Sequence, residues 1–213
     1  MTVRKYAHFQ KYVVHDPVRE AVANSIVGGD PSAISKHTMN KYLIPKAELA
    51  ALLETASQGN ASKEDVHTKV WFTLANRILA DWDGVSYSSR NGLTPGQDAV
   101  VCSAEFYRGI KHGDLITSVS MSEELSFRTL KALEILEAQE YWRLLRQVEE
   151  VFPGKKFPKY AEDIMSAVRK QPADYFDKVG EKFVTGKGMK RPLHDYVFAY
   201  VTTHPQEFCA PDK

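Results

Sequence analysis

The stretch QEYWRLLRQVEEVFPG limits the fold of this chain more than any other segment. Tyr141, Leu144, Leu145, Val148, Val151 and Phe152 recur at three- and four-residue steps, which places them on one stripe of a helix and the charged residues on the other side. Pro153-Gly154 then ends the pattern. The same period appears in Val70, Trp71, Leu74, Ala75, Ile78, Leu79 and Trp82. No segment alternates apolar and polar residues as a half-buried strand does. The sequence therefore predicts an all-α fold, a compact multi-helix single domain with an N-terminal helical extension.

Capping residues mark where the helices begin. Ser62 is placed to cap the helix that carries Trp71, with Glu64 and Asp65 in its first turn, where negative charge suits the dipole. Thr94, Pro95 and Gln97 read as a cap, a first helical residue and the reciprocal half of a capping box. The helix they open points Val100, Ser103, Ala104, Tyr107 and Ile110 inward and stops between Gly109 and Gly113. Ser120 and Glu123 suggest another capping box, ahead of a helix with Leu125, Ala132, Leu133 and Leu136 on one face. Further helices are expected around 160–168, 176–184 and 193–203. Before residue 60, VREAVANSIVGGD and KAELAALLETASQ read as short helices separated by Gly28-Gly29, Pro31 and Pro45. The expected organisation is an extension over 1–60, a helical core over 61–208 and a tail over 209–213.

The totals exclude several classes of function. A net charge of +1 supplies no overall field toward nucleic acid or an anionic membrane. No apolar run nears the roughly 18 residues that a membrane span requires. The N-terminal MTVRKYAHFQKYVVHDP lacks the apolar centre of a secretory signal. Cys102 and Cys209 form no CxxC pair and no zinc spacing. The expectation is a cytoplasmic protein with no cofactor and no metal.

From Val66 to Phe208 the chain resembles a family of bacterial helical domains, mostly of unknown function, known chiefly through a DNA-mimic protein. Leu93-Thr94 opens the first family helix, IKHGD sits at its elbow and ILEA (135–138) at the Ile-Gly-Ala turn. VFPG closes the next helix, and YFDKVGEKF and YVFAYVTTHPQEF match the closing helices in order. The family's Asn-Gly-Gly-Phe-x-Gln elbow is eroded, with His112, Asp114 and Ile116 where it has glycine, phenylalanine and glutamine. Glu137 stands where the family has the glycine of Gly-Ala. The resemblance implies the helical fold. For function it implies a non-enzymatic binding protein acting on another protein, of a regulatory or defence type.

The elbow YRGIKHGDLITSV gathers Arg108, Lys111, His112 and Asp114, with Glu105 and Tyr107 close by in sequence. His112 and Asp114 form half of a general-base or metal arrangement, but no third ligand or nucleophile lies near them in sequence. An elbow between two helices accounts for them better, and an elbow still serves as a binding surface. VTGKGMKRP concentrates Lys187, Lys190 and Arg191 between glycines, without the residue order of a phosphate loop. Residues 155–191 hold ten Lys/Arg against five Asp/Glu, whereas 120–150 hold four against seven. That balance is too weak for a DNA mimic, which needs dense negative charge. It leaves two alternatives to protein binding: a nucleic-acid-binding module using the basic C-terminal third, and an enzyme whose residues come from distant segments.

Overall fold

Ser62 accepts the backbone N–H of Asp65 and so starts a helix over Lys63–Leu79, as its cap position predicts. The computed structural model describes residues 43–58, 62–80, 93–121, 123–158 and 160–209. Among them are nine α-helices and no strand, so the chain is all-α. They run α1 (Lys46–Gln58), α2 (Lys63–Leu79), α3 (Pro95–His112), α4 (Leu115–Met121) and α5 (Glu123–Ile135). After these come α6 (Gln139–Glu150), α7 (Ala161–Lys170), α8 (Tyr175–Thr185) and α9 (Leu193–Thr203). Of the two short N-terminal helices read from the sequence, KAELAALLETASQ is α1 residue for residue. VREAVANSIVGGD, Trp82, the loop DGVSYSSRNG and residues 210–213 lie outside the described residues.

Helix α3 is the hub and packs against α2, α4, α5, α8 and α9. Its start is the capping box expected from Thr94 and Gln97, with Pro95 in the first turn. One face after another of α3 is covered, so Val100, Val101, Cys102, Ser103, Ala104, Phe106 and Tyr107 are all buried. The Trp71 indole N–H donates to the Val100 carbonyl at 3.0 Å, which satisfies the polar end of a fully buried ring. The α6 stripe packs as its period requires, with Tyr141, Leu144, Leu145 and Val148 buried. Each such apolar side chain contributes about 1.5–3 kcal/mol relative to exposure. Trp142 lies off the stripe, half-buried, with the Arg146 guanidinium 5.8 Å from its ring centre.

The chain ends of the described core are tied together. Ile44 pairs with Cys209 in an isolated parallel bridge, and its N–H donates to the Phe208 carbonyl at 2.9 Å. Both cysteines are buried.

One local expectation is corrected. Ser120 does not cap α5; it lies inside α4, and its hydroxyl donates back to the Thr117 carbonyl at 3.0 Å. A serine can satisfy its hydroxyl on the carbonyl three residues earlier in its own helix, so the capping pattern misleads there. Gly113 closes α3 at φ −127° and ψ −112°. A left-handed helix end falls at Glu137, with φ 56°. There Ala138 N–H donates to the Leu133 carbonyl at 2.8 Å and Glu137 N–H to that of Glu134 at 3.0 Å. Those two bonds form the paired closure of a helix that ends on a left-handed residue.

Candidate functional site

The elbow between α3 and α4 is built from short polar contacts. The Gly113 N–H donates to the Gly109 carbonyl and closes α3. Asp114 Oδ1 then accepts the Thr117 N–H at 2.6 Å, which makes Asp114 the cap of α4 rather than a solvated turn residue. Ser118 donates its hydroxyl to the Asp114 carbonyl and lies against Gly109, where a Cβ would come within 2.6 Å of its oxygen. Chain reversal at this point thus needs Gly109 for close approach of α4 and Asp114 for its cap.

Helix α8 crosses the elbow and closes one side of an open cleft of about 250 Å³. Ile110, Leu115, Phe176, Gly180 and Val184 supply its apolar lining, and Lys111, Asp114, Asp177 and Glu181 its charged groups. Gly180 lets the helices approach, since a Cβ there would sit 3.3 Å from Ile110 Cγ2 and 3.5 Å from Leu115 Cβ. The volume falls below the roughly 300–1,000 Å³ of small-molecule sites, so it suits a side chain rather than a cofactor.

Of the residues the sequence singles out, Lys111 and Asp114 line this cleft. Lys187 reaches its edge, with Nζ 3.3 Å from Glu181 Oε1. His112 is exposed and does not line the cleft. Arg108 turns to α2, where it donates to Asn76 Oδ1 at 2.5 Å and lies 4.6 Å from the Phe72 ring centre. Tyr107 is buried and donates to the Val184 carbonyl, and burial raises its phenol above the ordinary range, with Glu64 adding to the effect. Lys190 uses its backbone N–H to bond Glu140 at 2.7 Å. The Arg191 guanidinium covers the Tyr196 ring at 3.8 Å. The seven candidates therefore do not meet in one place.

The α8 half of the cleft, Phe176 to Val184, escapes sequence reasoning because more than 60 positions separate it from the elbow. The one local sign is Gly180, a residue that costs about 1 kcal/mol inside a helix unless close packing needs it. A second polar group also comes from distant segments. His67 Nδ1 on α2 donates to Asp195 Oδ1 on α9 at 2.6 Å, with His194 Nε2 3.7 Å from the same oxygen. Phe198 stacks on His67 at 3.9 Å, so this group joins two helices inside the packing. Among the described residues no group of three His, Cys, Asp or Glu is placed to hold a metal ion. Nor is any helix there long and apolar enough to cross a membrane.

No family model matches the chain, and neither a curated protein nor a solved structure matches it.

Proposed function

We propose that this is a non-enzymatic binding protein that acts through protein–protein contact, with the elbow cleft as its contact point. The observation that carries the reading is the cleft itself: an apolar lining with charged groups, held by the ends of packed helices and open to solvent. Rigid support on a helical scaffold suits a binding surface, and the cleft's size suits a side chain presented by a partner. Two of the charged groups around it already make contacts within the chain. Asp114 caps α4 and Glu181 pairs with Lys187, which is an arrangement for holding shape and charge rather than for moving a proton. The nucleic-acid alternative draws less support, because the net charge is only +1 and the ten basic residues of 155–191 are interspersed with five acidic ones.

Affinity capture from the source organism tests this reading. The full chain is compared with Asp177→Arg/Glu181→Arg at the cleft and with Lys155→Glu, which does not line it. A protein retained by the wild type and Lys155→Glu but lost by the cleft variant is the expected result. Identical captured sets for all three place the contact elsewhere and end the proposal.

A further inference from the structure

We propose that the elbow cleft receives one basic side chain, an arginine or lysine, projecting from a protein partner; this rests on the protein-contact reading above and names the chemistry of the contact. A long basic side chain has an apolar stem and a charged head. The cleft offers both surfaces in the right proportion, with Ile110, Leu115 and Phe176 for the stem and Asp114, Asp177 and Glu181 for the head.

The charge arithmetic favours a cation. Three carboxylates line the cleft against one ammonium, that of Lys111. Asp114 spends one oxygen on the neutral Thr117 N–H and keeps its formal negative charge. Glu181 is drawn toward Lys187 at 3.3 Å, but both side chains are more than half exposed. Such exposed pairs are worth about 0–1 kcal/mol, so an entering cation displaces Lys187 at little cost. A bond from a guanidinium or ammonium to a carboxylate is charge-assisted and about twice as strong as a neutral one. An acidic side chain would meet three like charges there, and a purely apolar one would leave the carboxylates unused.

The test uses the full-length ¹⁵N-labelled protein and a capped pentapeptide with one arginine among alanines. Analogues carry lysine, leucine or glutamate in place of the arginine. The expected result is a set of saturating amide shifts at Lys111, Gly113, Asp114, Gly180 and Glu181 with the arginine or lysine peptide. These should weaken with added salt and in Asp177→Asn/Glu181→Gln, and Lys111→Ala should strengthen binding. Asp177 and Glu181 are exposed, so unchanged amide positions away from the cleft check that the variants keep their fold. Equal shifts from the leucine peptide, indifferent to the carboxylates, would overturn the basic side chain while leaving the protein-contact reading intact. Shifts from the glutamate peptide alone, or from none, also overturn it; the capture experiment then decides the broader reading separately.

Discussion

Glu207 Oε2 accepts the backbone N–H of Gly96 at 2.7 Å, so a carboxylate from beyond α9 sits on the first turn of α3. Its other oxygen takes the Tyr200 hydroxyl at 2.7 Å. A Cβ at position 96 would lie 2.6 Å from both Glu207 Oε2 and Tyr200 Cε1, so any larger residue there would displace this contact. The hub helix is thus fastened at its positive end by a residue 111 positions away.

That contact makes stability depend on acid. Burial pushes the Glu207 carboxyl up, but the Tyr200 hydroxyl, the Gly96 N–H, the Thr94 hydroxyl and nearby His204 outweigh it and hold the carboxyl below its ordinary value. The native carboxyl binds its proton less tightly than the unfolded one, so the unfolded chain takes up more protons in acid. The contribution is full above the unfolded value, about 4.3, and is lost as pH falls through the lower native value. Glu207→Gln should cost about 1–3 kcal/mol at pH 7, as expected for a hydrogen bond to a charged group. Urea unfolding at pH 7 and across pH 5 to 3 checks this: the variant should show a shallower acid loss than the wild type.

Leu145 tests the core. It is fully buried on the α6 stripe, with Trp71, Leu133, Val148, Val197 and Val201 equally inaccessible. Leu145→Ala should cost about 2–5 kcal/mol, through lost burial and the cavity left behind. A loss below about 1 kcal/mol by chemical denaturation would mean that the stripe does not face the core.

Helix existence and phase were legible because each stripe is a local pattern. The α6 repeat, the Thr94–Gln97 box and the Pro153-Gly154 stop depend only on neighbours within a few residues. Ser120 defeats the capping pattern because a serine near a helix end has two local solutions, a cap on the next helix or a bond back to the carbonyl three residues earlier, and here it takes the second. The candidate site was half legible. Lys111 and Asp114 stand out in the elbow motif, whereas Phe176, Asp177 and Glu181 reach it only through the crossing of α8. Likewise, nothing local joins His67 to Asp195, 128 positions away.

Glu137 offers a gain in stability. It is exposed, closes α5 and holds φ at 56°, a conformation that costs a residue with a Cβ roughly 1–2 kcal/mol. Glycine removes that strain but loses more freedom on folding, by about 0.5–1 kcal/mol. Glu137→Gly should therefore stabilise by up to about 1.5 kcal/mol, read as a higher melting temperature. A lower one would mean that the Glu137 side chain contributes more than the strain costs.

The elbow separates a structural turn from a reactive pair, and three substitutions read the difference. His112 is exposed and outside the cleft, so His112→Ala should change stability by no more than about 0.5 kcal/mol, like other surface sites. Asp114 caps α4, so Asp114→Ala should cost about 0.5–2 kcal/mol even though its side chain is only half-buried. Gly113→Ala should cost about 1 kcal/mol or more for a steric reason. The new methyl would lie 3.0 Å from the Gly109 carbonyl oxygen, a backbone atom that cannot retreat without disturbing the end of α3, and in contact with the Thr117 side chain at 3.4 Å. Unfolding curves for the three variants give the order directly. A large loss from His112→Ala with little from Asp114→Ala would reverse the roles assigned to them, because the histidine would then hold the elbow and the aspartate would be free for chemistry.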